Sequence, residues 1–253
     1  MPEFASFDGT RIAYHEWPGA TDQPAVVLLH GFIAHATLNW VGPGVVDAFT
    51  RAGRRVFAID ARGHGASEKH YDPARYGEGT MARDVSALFD LIGEAEVDLV
   101  GYSMGAIIAL LTTVNDARVR RLVVGGIGSG VVEVGGLDTR ALPRDVLAAA
   151  LLSEEPPDPT TQPGAFRAFA DLVGSDRRAL AAAVQGAHTG GIALDRVTVP
   201  TLVVAGDTDP LATRPEVLAN AIDGAKLVVL PGDHLSVLRD PGFIPAVVDF
   251  VTA

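Results

Sequence analysis

Residues 97–111 constrain this chain more than any other stretch. Val97-Asp98-Leu99-Val100 is a short, mostly apolar run closed by Gly101, the pattern of a buried strand. Ala106-Ile107-Ile108-Ala109-Leu110-Leu111 holds no proline and reads as a helix. Only Tyr102-Ser103-Met104-Gly105 separates the two, so the chain must turn from strand to helix within a Gly-x-Ser-x-Gly pentapeptide. Gly101 and Gly105 lack a Cβ, which lets strand and helix approach closely and pushes Ser103 into the open. The amides beyond it belong to a helix N-terminus, where unpaired N–H groups and the positive dipole end favour developing negative charge.

A five-residue motif gains meaning from its place in the chain. Glu3–Phe7 and Arg11–Trp17 flank the turn signal Asp8-Gly9 and predict a hairpin. Ala25–His30 is a continuous apolar run, as a sheet covered on both faces requires. Val45–Arg51 predicts a helix and Arg55–Asp60 a strand, followed by the turn 61–67. Thr80 is placed to cap a helix reaching Ile92, with Val85, Leu88, Phe89 and Ile92 on one face. The strand Arg121–Val124 follows the serine stretch. Strand and helix thus alternate from about residue 25, which implies an α/β fold with a mostly parallel sheet.

The alternation breaks between Gly125 and Asp195. Helical patterns at Asp145–Glu155, Phe166–Val173 and Ala179–Val184 have no strand partners, and Pro156-Pro157-Asp158-Pro159 links the first two. Residues 128–195 are therefore expected to form a helical cap inserted into a core of residues 1–127 and 196–253. The alternation resumes with the strand Thr201–Ala205, a helix near Pro215–Ile222, the strand Lys226–Leu230 and a closing helix after Pro241.

Composition narrows the function classes. A net charge of −11 opposes nucleic-acid or anionic-membrane binding, which needs a basic surface. With no cysteine there is no disulfide framework, thiolate metal site or cysteine nucleophile. The first residues lack the blocks of a signal peptide and no apolar run approaches a membrane span, so a cytoplasmic location is expected. The expected partner is a small-molecule substrate.

In open α/β sheets, reactive groups collect beyond the carboxyl ends of the strands. Ser103 follows one strand, Asp207 and Asp209 follow the next-to-last, and His234 follows the last. The sequence resembles the α/β-hydrolase family across nearly its whole length. The resemblance rests on His30-Gly31-Phe32, Asp60-x-Arg62-Gly63-His64-Gly65-x-Ser67, Gly101-Tyr102-Ser103-Met104-Gly105, Gly206-Asp207-Thr208-Asp209 and Gly232-Asp233-His234, in that order. It implies an α/β-hydrolase fold with an N-terminal antiparallel hairpin, a helical cap and no cofactor.

Roles follow from chemistry and from the resemblance together. A serine hydroxyl needs a base, and His234 is that base, steered by a carboxylate on its other ring nitrogen. The family pattern Gly-x-x-Asp makes Asp209 the acid, with Asp207 shaping the turn; Glu133 and Asp138 are remoter options because some relatives place the acid there. The oxyanion hole is expected from the backbone N–H groups of Phe32 and Met104. His30 and His64 are read as bonding neighbouring loops, and Asp60 and Arg62 as bracing their turn. His35, Trp40 and His188 are assigned to a loop or helix surface, with the pocket as the alternative. Asp207-x-Asp209 with Asp233-His234 matches no metal-site spacing, and Gly77-Glu78-Gly79 follows no strand and so is no dinucleotide fingerprint. The expected activity is cofactor-free serine hydrolysis of an ester or similar acyl bond in a small to medium apolar substrate. Lactonase, thioesterase, carbon–carbon hydrolase and perhydrolase chemistry use the same groups, and a hydrolase-like ligand sensor is the alternative from another class.

Overall fold

The apolar runs between glycines become strands of a single eight-stranded sheet in the computed structural model, which describes all residues except 137–139 and 141. In chain order the strands are β1 (Glu3–Ala5), β2 (Arg11–Trp17), β3 (Ala25–Leu29), β4 (Val56–Ile59), β5 (Val97–Tyr102), β6 (Val119–Gly125), β7 (Thr201–Gly206) and β8 (Lys226–Leu230). They are ordered β1-β2-β4-β3-β5-β6-β7-β8. β1 pairs antiparallel with β2, and β2 antiparallel with β4. Every later pairing is parallel, so the carboxyl ends of β3 to β8 share one edge. The first strand ends at Ala5 rather than Phe7. Ser6 already belongs to the turn, donating its N–H to the Thr10 carbonyl and accepting from Gly9.

Alternate residues of each central strand face opposite layers, as the two-residue repeat of a strand dictates. Val27, Leu29, Leu99 and Val124 pack on α2 (Glu78–Ile92) and α3 (Met104–Asn115). Val26, Leu28, Val100 and Val123 pack on α1 (Val45–Arg51) and α9 (Phe243–Thr252). Both faces are covered, which is why β3, β5 and β7 are buried at every position.

Among the described residues four α-helices lie between β6 and β7: α4 (Ser129–Val134), α5 (Arg144–Leu152), α6 (Gln162–Val173) and α7 (Arg177–Gly186). The last three share a core of their own around Leu147, Leu151, Ala170, Leu180 and Val184, which Ile33 joins from the loop after β3. α6 and α7 start where sequence-readable caps stand. The Thr161 hydroxyl accepts from Gly164 N–H, and the Asp176 carboxylate from Arg178 and Ala179. α4 had no signal in the sequence; Arg214, just ahead of α8 (Pro215–Asn220), bonds its Ser129 and Glu133 side chains.

Thr80 does not cap α2. The helix begins two residues earlier, after Gly77 at φ +105°, where a Cβ would lie 2.7 Å from the Gly186 carbonyl oxygen. The start of the helix is tied to a distant segment instead, where buried Glu78 accepts the His188 N–H at 2.5 Å.

Candidate active site

The turn after β5 has the geometry that its glycines demand. A Cβ on Gly101 would lie 2.2 Å from the Gly105 carbonyl oxygen, and one on Gly105 only 2.0 Å from that of Leu29. Ser103 itself takes φ 53° and ψ −117°, a strained backbone for a residue with a side chain. The Ser103 N–H donation to the Gly125 carbonyl, at 2.8 Å, helps to hold it there. The expectation of an exposed serine is corrected: Ser103 is only 4% exposed. The loop after β3 packs against it, and a Cβ on Gly31 would sit 3.4 Å from the Ser103 Cβ.

β7 and β8 bring an aspartate and a histidine to the same edge. His234 Nδ1 lies 2.8 Å from Asp209 Oδ2, while Asp209 Oδ1 accepts the Leu211 N–H at 2.8 Å. A carboxylate accepts, so Nδ1 carries the proton and Nε2 keeps its lone pair. Asp207 is turned away from the imidazole; its Oδ1 accepts the Gly232 N–H at 2.9 Å and ties the two loops together. Glu133 is paired with Arg140 and Arg214. Asp138 lies outside the described residues. Asp233 accepts from the Leu235 and Ser236 amides and from the Ser236 hydroxyl. Among the described residues no group of three His, Asp or Glu side chains is placed to hold a metal ion.

Tyr102 was missed by the reading of the sequence. Its hydroxyl donates to the His234 carbonyl at 2.7 Å, and its ring lies 5.3 Å from the imidazole. Burial, with Asp209 and Asp233 nearby, holds the phenol well above its usual range, so it remains a donor. The residue before the serine therefore holds the backbone of the histidine. Its only signal in the sequence was its position in the pentapeptide.

The loop after β3 is held by side chains on both sides. The Asn39 amide oxygen accepts the Gly31 N–H at 2.9 Å. His30 Nδ1 donates to the Gly31 carbonyl at 2.8 Å, and its Nε2 accepts the Ala61 N–H at 2.9 Å. His64 Nδ1 donates to the Arg62 carbonyl, and the His64 ring meets the Phe32 ring edge-on at 5.6 Å. Burial lowers both imidazole pKa values, that of His64 to about 3. Asp60 accepts from Ala36 and Ala66, and the Arg62 guanidinium bonds Asp84 and Asp8. Met104 opens α3 directly after the serine, and Phe32 follows Gly31, where a Cβ would lie against Ser103.

A cavity starts at these two residues and runs between the sheet edge and the inserted helices. Its walls are largely apolar, with Phe32, Met81, Met104, Leu147, Phe166 and Val184 among them, and Glu78, Arg144 and His188 supply polar groups. His188 is therefore a cavity residue rather than a surface one. His35 lines a separate polar groove with Asp60, Lys69 and Asp176. Trp40 is corrected from surface to core, fully buried on the α1 and α9 side of the sheet.

A family model described as the alpha/beta hydrolase fold matches residues 24–132. The sn-1-specific diacylglycerol lipase ABHD11 of Mus musculus is 36% identical over 115 residues, 45% of this chain and 36% of that one. The chain spans less than half the length of the first curated relatives it matches. Crystal structures also match over its full length. One is a hydrolase from Pseudomonas aeruginosa PA01, with TM-score 0.81 and 29% identity, covering 100% of this chain and 98% of that one. Another is the enol-lactonase from Burkholderia xenovorans LB400, with TM-score 0.76 and 26% identity, covering 100% of both. With the serine turn, the eight-stranded sheet and the strand-end aspartate and histidine, these matches lead to one conclusion: the chain has the α/β-hydrolase fold.

Proposed function

We propose that this protein is a serine hydrolase that cleaves an ester or related acyl bond in a small to medium, largely apolar substrate, without a cofactor. The observation that carries the reading is the 2.8 Å hydrogen bond from His234 to Asp209 at the strand edge that also holds the strained Ser103 turn. In this reading His234 Nε2 takes the Ser103 proton as the hydroxyl oxygen attacks the acyl carbon, and Asp209 stabilises the imidazolium that results. The Phe32 and Met104 amides receive the oxyanion; losing one such donor typically costs ~3 kcal/mol of transition-state stabilisation. Collapse of the tetrahedral species expels the alcohol, protonated by His234. Water activated by the same imidazole then releases the acid and regenerates the serine.

Residues 128–195 act in this proposal as the cap, because Leu147, Phe166 and Val184 line the same cavity as Met104, the residue after the serine. The similarity to a diacylglycerol lipase and to an enol-lactonase supports the same reading. Among the described residues no helix is long and apolar enough to cross a membrane.

The test is a panel of short- and medium-chain aryl esters, thioesters and lactones, run with the protein and with Ser103→Ala, alongside labelling by a fluorophosphonate. Turnover and labelling that both vanish in Ser103→Ala are the expected result. A protein that turns over no member of the panel and resists labelling overturns the hydrolase reading; tight binding of the same compounds would then favour a ligand sensor.

A further inference from the structure

Three polar residues of the cavity are not used by the chemistry proposed above. Glu78 opens α2, Arg144 opens α5, and His188 follows α7, so the sheet layer and the inserted helices both contribute. Glu78 and Arg144 hold the same backbone from two sides. The Glu78 carboxylate accepts the His188 N–H at 2.5 Å, and Arg144 Nη2 donates to the His188 carbonyl at 2.7 Å.

That arrangement leaves donors without acceptors. Arg144 is half-buried, makes this single hydrogen bond, and pairs with no carboxylate among the described residues. A guanidinium presents five N–H donors in a planar fork, and one partner leaves most of that fork open. His188 lines the same cavity. The rest of the wall is aliphatic and aromatic, so a charged group has few other sites along the cavity.

We propose that Arg144, with His188 beside it, binds a carboxylate at the far end of the substrate's acyl chain, so that the substrate class is an ester or lactone whose acyl part ends in a second carboxylate. The proposal rests on the serine-hydrolase reading for its reaction, though not for its binding site. The charge count favours a monoanion. One guanidinium faces the ligand, and Glu78 contributes at most one negative charge, which burial diminishes by pushing its carboxyl up. A phosphate dianion would need a second cation. The planar fork matches two carboxylate oxygens.

The experiment compares p-nitrophenyl hexanoate with the mono-p-nitrophenyl ester of adipic acid, which has the same chain length and a terminal carboxylate. The expected kcat/KM ratio favours the adipate ester by about tenfold or more, the discrimination typical of one charge-assisted contact. Arg144→Gln, whose amide can still donate to the His188 carbonyl, should bring that ratio close to one, mainly through KM; Arg144→Lys should retain part of it. A wild-type ratio at or below one, or a ratio unchanged in Arg144→Gln, overturns the proposal.

Calorimetric titration of Ser103→Ala with monomethyl adipate separates the two readings. Binding that weakens in Ser103→Ala/Arg144→Gln supports the carboxylate site even if no ester is hydrolysed. Turnover of both esters with no charge preference, and no Arg144-dependent binding, removes the carboxylate site and leaves the hydrolase reading standing.

Discussion

His30 and Gly31 are joined twice, by the peptide bond and by a 2.8 Å hydrogen bond from the imidazole Nδ1 back to the Gly31 carbonyl. Because the Ala61 N–H donates to Nε2, the ring proton must sit on Nδ1, and the tautomer is set by its surroundings. Carbonyl and N–H of a trans peptide point in opposite directions. By holding the Gly31 oxygen, His30 therefore aims the Phe32 N–H, the proposed oxyanion donor, to the other side. Asn39 holds the preceding amide in the same way.

The first prediction concerns that peptide. His30→Ala frees the Gly31 carbonyl and leaves the buried Ala61 N–H unpaired, at a cost of about 1–3 kcal/mol in stability. Turnover should fall by roughly tenfold or more, within the range set by losing one oxyanion donor, with KM changed less than kcat. Steady-state kinetics on an aryl ester together with a thermal melt check both parts, and a variant with full kcat would show that the loop holds itself.

A second prediction separates the two aspartates. Asp209→Asn offers an amide to His234 Nδ1 and favours the wrong tautomer, so kcat should fall by about 10³-fold or more. Asp207→Asn retains an oxygen for the Gly232 N–H and should stay within a few-fold of wild type. Equal losses in the two variants would remove Asp209 from its proposed role.

The third concerns Tyr102. Tyr102→Phe keeps the ring against His234 and removes only the hydrogen bond to its carbonyl. The loss of one buried hydrogen bond predicts a destabilisation of about 1 kcal/mol. If the bond positions the imidazole, kcat falls several-fold at constant KM. A stability change with no change in kcat would make the contact purely structural.

The fourth is a pH dependence of stability. Burial lowers the pKa of His30 and of His64, the latter to about 3, whereas an unfolded histidine titrates near 6.5. Above pH 6.5 neither state is protonated and the full stability is present. As pH falls below 6.5 the unfolded chain takes up protons that the folded one refuses, so stability is lost, by up to about 1.4 kcal/mol per pH unit for each histidine, and for His64 the loss continues down to about pH 3. Urea midpoints between pH 7.5 and 4.5 should fall for wild type, and fall less steeply for His64→Gln. Parallel slopes would assign the acid sensitivity to other groups.

What the residues alone determined is local or ordered along the chain. The strand-to-helix turn at Ser103 was legible because Gly101 and Gly105 leave no room for a side chain, and the order serine, aspartate, histidine was legible because each follows an apolar strand. Asp207 could be told from Asp209 only by the family pattern, and the structure adds the geometric difference: one carboxylate faces an amide, the other an imidazole.

The tertiary structure decided whatever depends on partners distant in the sequence. Periodicity places Trp40 and Ser103 on loops but says nothing of what covers them, so the burial of both was out of reach. The start of α2 moved from Thr80 to Glu78 because the chain more than a hundred residues later, at Gly186 and His188, supplies the close contact and the N–H that Gly77 and Glu78 meet. Tyr102 reaches His234 across 132 positions, and Arg144 meets His188 across 44. A hydrogen bond of under 3 Å depends on where two backbones arrive in space, and no local pattern encodes that distance.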